Sequence, residues 1–269
     1  MKISFVGGGN MARALIGGLK TNGFTMENIN VIEPDAVKRT QLKTEFGVNA
    51  SEQLPSASNS DVIVLAVKPQ QLRDLCIFLG SLLQNQLVIS IAAGIRSNDL
   101  ARWLGGYQSI VRVMPNTPAQ IQAGVSAFYA MPEVTRSQHQ QAELILQAVG
   151  QTLWLDDETK MDAVTAISGS GPAYVFYFIE AMQQAALELG LTAEEARLLS
   201  LQTFTGASQL AAQSTDEPAT LRAQVTSKGG TTESALQTME AAAVKSAIMK
   251  AIKAAAERSN ELGDLLGKD

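Results

Sequence analysis

Lys2-Ile3-Ser4-Phe5-Val6-Gly7-Gly8-Gly9-Asn10-Met11-Ala12 decides how the first half of this chain is read. A short apolar run stops at three glycines. A helical pattern follows, with Met11, Leu15, Ile16 and Leu19 on one face and Gly23 at its end. The spacing fits G-x-G-x-x-G/A between a strand and a helix, where backbone N–H groups and the helix dipole can hold a pyrophosphate. Gly7 permits the tight turn, Gly9 lets the backbone approach the phosphates, and Ala12 is small enough for the helix to pack closely on the strand. Gly8, Asn10 and Met11 complete the expected cofactor-binding turn.

Outward from that turn, strand-like and helix-like segments alternate. Asn30-Val31-Ile32 is a second short strand, a charged helix spans 36–46 before Gly47, and Asp61-Val62-Ile63-Val64-Leu65-Ala66-Val67 is an almost wholly apolar third strand. Pro69 starts another helix at a favoured first-turn position. Leu87-Val88-Ile89-Ser90-Ile91 and Ser109-Ile110-Val111-Arg112-Val113 supply two more strands. Apolar strands without alternation suit a parallel sheet covered on both faces. Residues 1–155 are therefore expected to form an α/β, Rossmann-type doubly wound parallel sheet.

In such a sheet ligands bind at the carboxyl ends of the strands. Ala66, Val67, Lys68 and Pro69 end the third strand; Ala92, Ala93 and Gly94 follow the fourth; Asn116 and Thr117, between two prolines, follow the fifth. All are expected to border the cofactor. Glu33 stands 21 residues after Ala12, where a carboxylate can accept a hydrogen bond from the adenosine ribose 2′-OH and would repel a 2′-phosphate. Lys38 and Arg39 follow and could neutralise that phosphate, or be solvated helix charges. The sequence leaves that choice open.

From about Asp156 the character changes to long Ala- and Leu-rich helical patterns, so residues 156–269 are expected to form an all-α dimerisation and substrate domain. Thr192-Ala193-Glu194-Glu195 reads as a capping box. Ser170 reads as the N-cap of a helix beginning at Pro172. A last helix is expected over 231–262. Its Ala-rich face is long for a small domain, and a homodimer is the expected outcome. Before that helix, Ser227-Lys228-Gly229-Gly230-Thr231-Thr232 is a candidate anion site, with Thr231 and Thr232 able to cap the helix.

Composition narrows the function. A net charge of −5 offers no basic face for nucleic acid. The single cysteine, Cys76, allows neither an intrachain disulfide nor a Cys-based metal cluster. No apolar stretch has the length of a membrane span and the first residues do not read as a signal peptide, so a cytoplasmic protein is expected. The one histidine, His139, falls on a polar helix pattern and reads as a surface residue. Ketone reduction usually needs a proton donor such as His. Reduction of a protonated imine needs mainly orientation and a carboxylate anchor.

Six motifs in order resemble the pyrroline-5-carboxylate reductase family: Gly7-x-Gly9-Asn10-Met11, Ala66-Val67-Lys68-Pro69, Ser90-Ile91-Ala92-Ala93-Gly94, Asn116-Thr117-Pro118, Ser168-Gly169-Ser170-Gly171-Pro172-Ala173-Tyr174 and Gly229-Gly230-Thr231-Thr232-Glu233-Ser234-Ala235-Leu236. The resemblance runs nearly end to end. It implies reduction of 1-pyrroline-5-carboxylate to L-proline, with NADPH or NADH as hydride donor. It implies a nicotinamide at the domain interface of a dimer, in some members built into decamers. It also implies that Ser227 and Gly229 to Thr232 bind substrate, that the backbone of Gly230, Thr231 and Thr232 holds the carboxylate, and that the Thr232 hydroxyl stands nearest the ring nitrogen in a catalytic role. Two departures bear on loop rigidity: Lys228 where the family carries proline, and Arg222-Ala223 where many members carry Lys-Asp. A β-hydroxyacid dehydrogenase would need a lysine after Gly169-Ser170-Gly171, where Pro172-Ala173-Tyr174-Val175 stands. A non-enzymatic dinucleotide sensor would have no use for the Gly229–Thr232 anchor.

Overall fold

The computed structural model describes residues 1–268. Its first 155 residues alternate as expected: β1 (Ile3–Val6), α1 (Asn10–Thr21), β2 (Ile29–Ile32), α2 (Ala36–Phe46), β3 (Asn49–Ser51), β4 (Val62–Leu65), α3 (Pro69–Gly80), β5 (Leu87–Ser90), α4 (Ser97–Trp103), β6 (Ile110–Met114), β7 (Gly124–Ala130), α5 (Arg136–Gln147) and β8 (Gly150–Trp154). The sheet order is β3-β2-β1-β4-β5-β6-β7-β8. Strands β1 to β6 are mutually parallel, β7 runs antiparallel to β6, and β8 is parallel to β7. The central strands β1, β4 and β5 are buried at every position, which is why they read as unbroken apolar runs.

Three strands escape the apolar-run criterion. β3 is a three-residue polar edge strand, β7 opens with glycine and mixes small residues with aromatics, and β8 is a half-exposed edge strand. Gly150 (φ +148°) starts β8 so close to Gly124 that a Cβ there would strike the Gly124 backbone.

The helical half comprises α6 (Met161–Val164), α7 (Gly171–Glu188), α8 (Ala193–Gln213), α9 (Pro218–Gln224), α10 (Thr231–Ala241) and α11 (Val244–Leu266). Thr192 and Glu195 form the expected capping box on α8. Two helical expectations need correction. Residues 165–169 form a π-turn, closed by the Ser170 N–H donating to the Thr165 carbonyl at 2.8 Å. Ser170 is therefore helical (φ −84°, ψ −21°) and caps nothing; α7 starts at Gly171. The expected helix over 231–262 is two helices. The break lies at Ala242-Ala243, where Ala243 takes a left-handed conformation (φ +53°) with its N–H on the Glu240 carbonyl at 2.9 Å. An alanine gives no sequence signal for such a break, since the conformation favours glycine.

The chain divides into two compact units, Met1–Ser170 with the segment from Ala254 onward, and Gly171–Lys253. The division thus falls later than the change of composition near residue 156. The last turns of α11 pack with the first unit: Ser259 Oγ donates to Asp162 Oδ1 at 2.7 Å, Asn260 Nδ2 to Asp162 Oδ2 at 3.2 Å, and Arg96 pairs with Asp264 at 2.7 Å. In the second unit α7 buries none of its residues, although Val175, Phe176 and Tyr177 lie in it. No helix among the described residues is long and apolar enough to cross a membrane.

Candidate functional site

The glycine-rich turn lies where the sheet order reverses, β1 having β2 on one side and β4 on the other. Gly7 (φ +101°) donates to the Ile32 carbonyl at 2.8 Å, and a Cβ on it would lie 2.7 Å from the Ala66 carbonyl oxygen. The ends of β1, β2 and β4 are thereby stitched together. Gly9 is the N-cap of α1, and no side chain caps that helix. A Cβ on Gly9 would meet no protein atom within 4 Å. The bare position and the first-turn N–H groups of Asn10, Met11 and Ala12, which have no acceptor within the helix, make a cradle that fits a dinucleotide pyrophosphate. Ala12 itself, in the first turn of α1, is buried.

Gly8 plays a different part from the one expected. Its N–H donates to Glu33 Oε2 at 3.0 Å, and a Cβ on it would strike Leu42. It seats Glu33 rather than offering a free donor to phosphate.

The other expected cofactor residues share the carboxyl edge. Ala66 and Val67 are half-buried, Lys68 is exposed at the N-cap of α3, and Pro69 begins that helix. Ala92 and Gly94 are buried, with Gly94 (φ +78°) turned toward Leu262 and Leu266 of α11, while Ala93 is exposed. The expected rigid loop after β6 is a short 3-10 helix, Thr117–Ile121, with Thr117 exposed. Asn116 anchors it: Oδ1 accepts the Val125 N–H at 2.9 Å and Nδ2 donates to the Ser168 carbonyl at 3.3 Å. His139 is half-buried and lies against Trp154, ring centroids 4.3 Å apart, so it is a packed residue of α5 rather than a solvated one.

One cluster at this edge carries no sequence signal. Glu158 Oε1 accepts the Ser97 N–H (2.7 Å), the Ser97 hydroxyl (3.0 Å) and Arg112 Nη1 (2.9 Å). It caps the start of α4, closes the loop that carries Ala92 to Gly94, and neutralises an arginine buried in β6. The partners lie 61 and 46 residues away, beyond any local pattern.

In the helical unit the candidate anion site is the start of α10. Gly230, not Thr231 or Thr232, is the N-cap, because its extended backbone (φ −85°, ψ 171°) precedes the first helical residue. Two of the expected donors are engaged: the Gly229 N–H on Glu233 Oε2 at 2.7 Å and the Gly230 N–H on the Ser227 carbonyl at 3.0 Å. A Cβ on Gly230 would lie 2.6 Å from Ser227 Oγ, so Ser227 folds over the turn. The open donors are the N–H groups of Thr231, Thr232 and Glu233, where the helix supplies no acceptor and no side chain caps it. Thr232 is half-buried and Thr231 exposed.

Comparison with known proteins finds matches to both halves of the chain. Residues 158–262 match the family described as pyrroline-5-carboxylate reductase dimerisation, and residues 2–94 match that described as NADP oxidoreductase coenzyme F420-dependent. A pyrroline-5-carboxylate reductase of Pseudomonas aeruginosa is 46% identical over 269 residues, covering 99% of this chain and 98% of the relative. The chain belongs to the pyrroline-5-carboxylate reductase family. A family member of Vibrio alginolyticus is 41% identical, with 98% of each chain covered. Among solved structures, the pyrroline-5-carboxylate reductase of Coxiella burnetii superposes with a TM-score of 0.92 at 41% identity, covering 97% of this chain and 98% of that one. The Plasmodium falciparum reductase, solved with NADP bound, gives 0.89 at 31% identity with 98% of each covered. Membership makes this chain a nicotinamide-dependent oxidoreductase with a Rossmann-type sheet and a helical half, and removes the β-hydroxyacid dehydrogenase alternative.

Proposed function

We propose that this chain reduces 1-pyrroline-5-carboxylate to L-proline with NAD(P)H. The observation that carries the reading is the start of α10, where three backbone donors follow a double glycine and no side chain caps the helix. The Thr231, Thr232 and Glu233 N–H groups receive the substrate carboxylate, helped by the positive end of the helix dipole. The half-buried Thr232 hydroxyl accepts the N–H of the iminium and orients the ring. When bound, the reduced nicotinamide supplies the hydride. The hydride adds to the imine carbon, the π pair moves to nitrogen, and the nitrogen keeps its proton. No protein acid is required, in keeping with a packed His139. The N–H groups of Asn10, Met11 and Ala12 hold the pyrophosphate. Residues 66–69, 92–94 and 116–117 border the dinucleotide at the carboxyl edge.

Oxidation of NADH and of NADPH, followed by loss of nicotinamide absorbance with and without 1-pyrroline-5-carboxylate, tests this. Substrate-dependent oxidation with proline as product is the expected result. Dinucleotide binding without any substrate-dependent oxidation would overturn it.

The working form is a homodimer covered along α7. Phe176 and Tyr177 are 64% and 71% exposed, and each aromatic side chain has about 150–250 Å² to bury. Light scattering should give twice the 28.6 kDa of one chain, or a multiple of that dimer. A monomer at micromolar concentration would refute the assignment.

A further inference from the structure

We infer that the last turns of α11 position the Ala92–Gly94 loop for hydride transfer, with Arg96 and Gly263 as the positioning residues. The inference rests on the reductase reading above, in which that loop borders the dinucleotide. β5 stands two strands from β1, on the side away from β2. At about 4.8 Å per strand, its end lies roughly 10 Å from the pyrophosphate cradle. In such folds the adenosine half lies toward the end of β2. The loop after β5 therefore meets the nicotinamide half, where a small misplacement acts on the reacting carbon.

Ala92, Ala93 and Gly94 carry no side chain larger than a methyl group with which to fix the loop. It is held instead from its flank and by α11. On the flank, Glu158 fixes Ser97. On the other side α11 lies against Gly94: a Cβ there would stand 3.5 Å from Leu262 Cβ and 3.7 Å from Leu266 Cδ1. Gly263 is a buried glycine inside α11, where glycine weakens a helix relative to alanine. Its use is the close approach of the loop. A Cβ at Gly263 would lie 3.2 Å from Arg96 Nε and 3.3 Å from the Gly94 carbonyl oxygen, inside ordinary van der Waals distance. Arg96 closes the contact, with Nη1 on Asp264 at 2.7 Å and Nη2 on the Asn260 carbonyl at 3.4 Å. The helix is in turn tied to α6, where Asp162 accepts from Ser259 and Asn260. The Arg96 and Asp264 side chains are 38% and 59% exposed, so their pair adds little to stability. Its effect is local: it decides where the loop sits, not whether the chain folds.

The test is steady-state oxidation of NADH and of NADPH by the full chain with 1-pyrroline-5-carboxylate, alongside calorimetric titration with NAD+ and NADP+ and thermal melting. Arg96→Ala should lower kcat about 3- to 10-fold, short of the roughly 100-fold that a 1 Å misplacement can cost. The pyrophosphate cradle is untouched, so dinucleotide KM and Kd should move less than about twofold, and the melting temperature less than about 2 °C. Arg96→Lys keeps a charge opposite Asp264 and should recover most of the loss. Asp264→Ala should repeat the effect of Arg96→Ala, and the double variant should be no worse than either. Gly263→Ala leaves every charge in place and presses on Gly94, so it should lower kcat without lowering the melting temperature. Full kcat in Arg96→Ala would overturn the role of Arg96, and full kcat in Gly263→Ala that of Gly263. A loss of kcat matched by a fall in melting temperature or in dinucleotide affinity would show a merely structural contact and overturn the inference alone. An unaltered chain that oxidises neither dinucleotide in the presence of substrate would overturn the reductase reading and the inference with it.

Discussion

Replacing Glu158 with alanine should cost about 3 kcal/mol of stability. Three donors converge on its Oε1, and its removal leaves the Arg112 side chain, 5% exposed, without its carboxylate. Deleting one partner of a buried ion pair costs about 3–5 kcal/mol, because the other charge stays buried and uncompensated. The low end applies here, since the Glu158 side chain keeps 18% exposure and water can enter in its place. The Ser97 N–H at the start of α4 also loses its acceptor. With a slope of about 3 kcal/mol per molar urea, the unfolding midpoint should fall by about 1 M. Glu158→Gln, which keeps an acceptor and loses the charge, should fall between. The double change Arg112→Met with Glu158→Leu removes both charges and should recover most of the loss, since apolar groups of similar volume can replace a buried pair. A loss below about 1 kcal/mol in Glu158→Ala would refute the reasoning. So would a double variant no more stable than the single one.

Three further outcomes follow from other parts of the structure. Thr232→Val should lower turnover about tenfold, the effect of losing one hydrogen bond to a charged group, with dinucleotide affinity unchanged; unaltered turnover takes Thr232 out of the mechanism. Ala243→Gly should stabilise the chain by about 0.5–1 kcal/mol, because relief of the left-handed strain exceeds the added flexibility of the unfolded chain. Its melting temperature should rise by about 1–3 °C, and a fall would show that the break at Ala242-Ala243 carries no such strain. Burial pushes the Cys76 thiol up to about 12 and leaves it without solvent contact, so an aromatic disulfide reagent at pH 8 should label it only on unfolding; rapid stoichiometric labelling of native protein would contradict its burial.

What could be read in advance follows the range of the interaction concerned. The Gly7–Ala12 turn was legible because glycine and small-residue requirements act within a few residues. The capping box at Thr192 and Glu195 was legible for the same reason. Strands β1, β4 and β5 announce themselves by being apolar throughout, whereas β3 and β8, at or near a sheet edge, do not. The break at Ala243 was hidden because an alanine stands where the backbone turns left-handed.

By itself the sequence determined the fold class and the family, and it pointed to two candidate anion cradles, since these depend on local patterns and on motif order along one chain. Tertiary structure alone decided which groups are already spoken for. Gly8 carries Glu33, Asp35 caps α2, Arg39 turns to two carbonyls and Glu52, and Glu158 gathers Ser97 and Arg112 from distant segments. The physical reason is that a hydrogen-bond donor or charge can be spent only once, and its partner is set by the fold rather than by its neighbours in the chain.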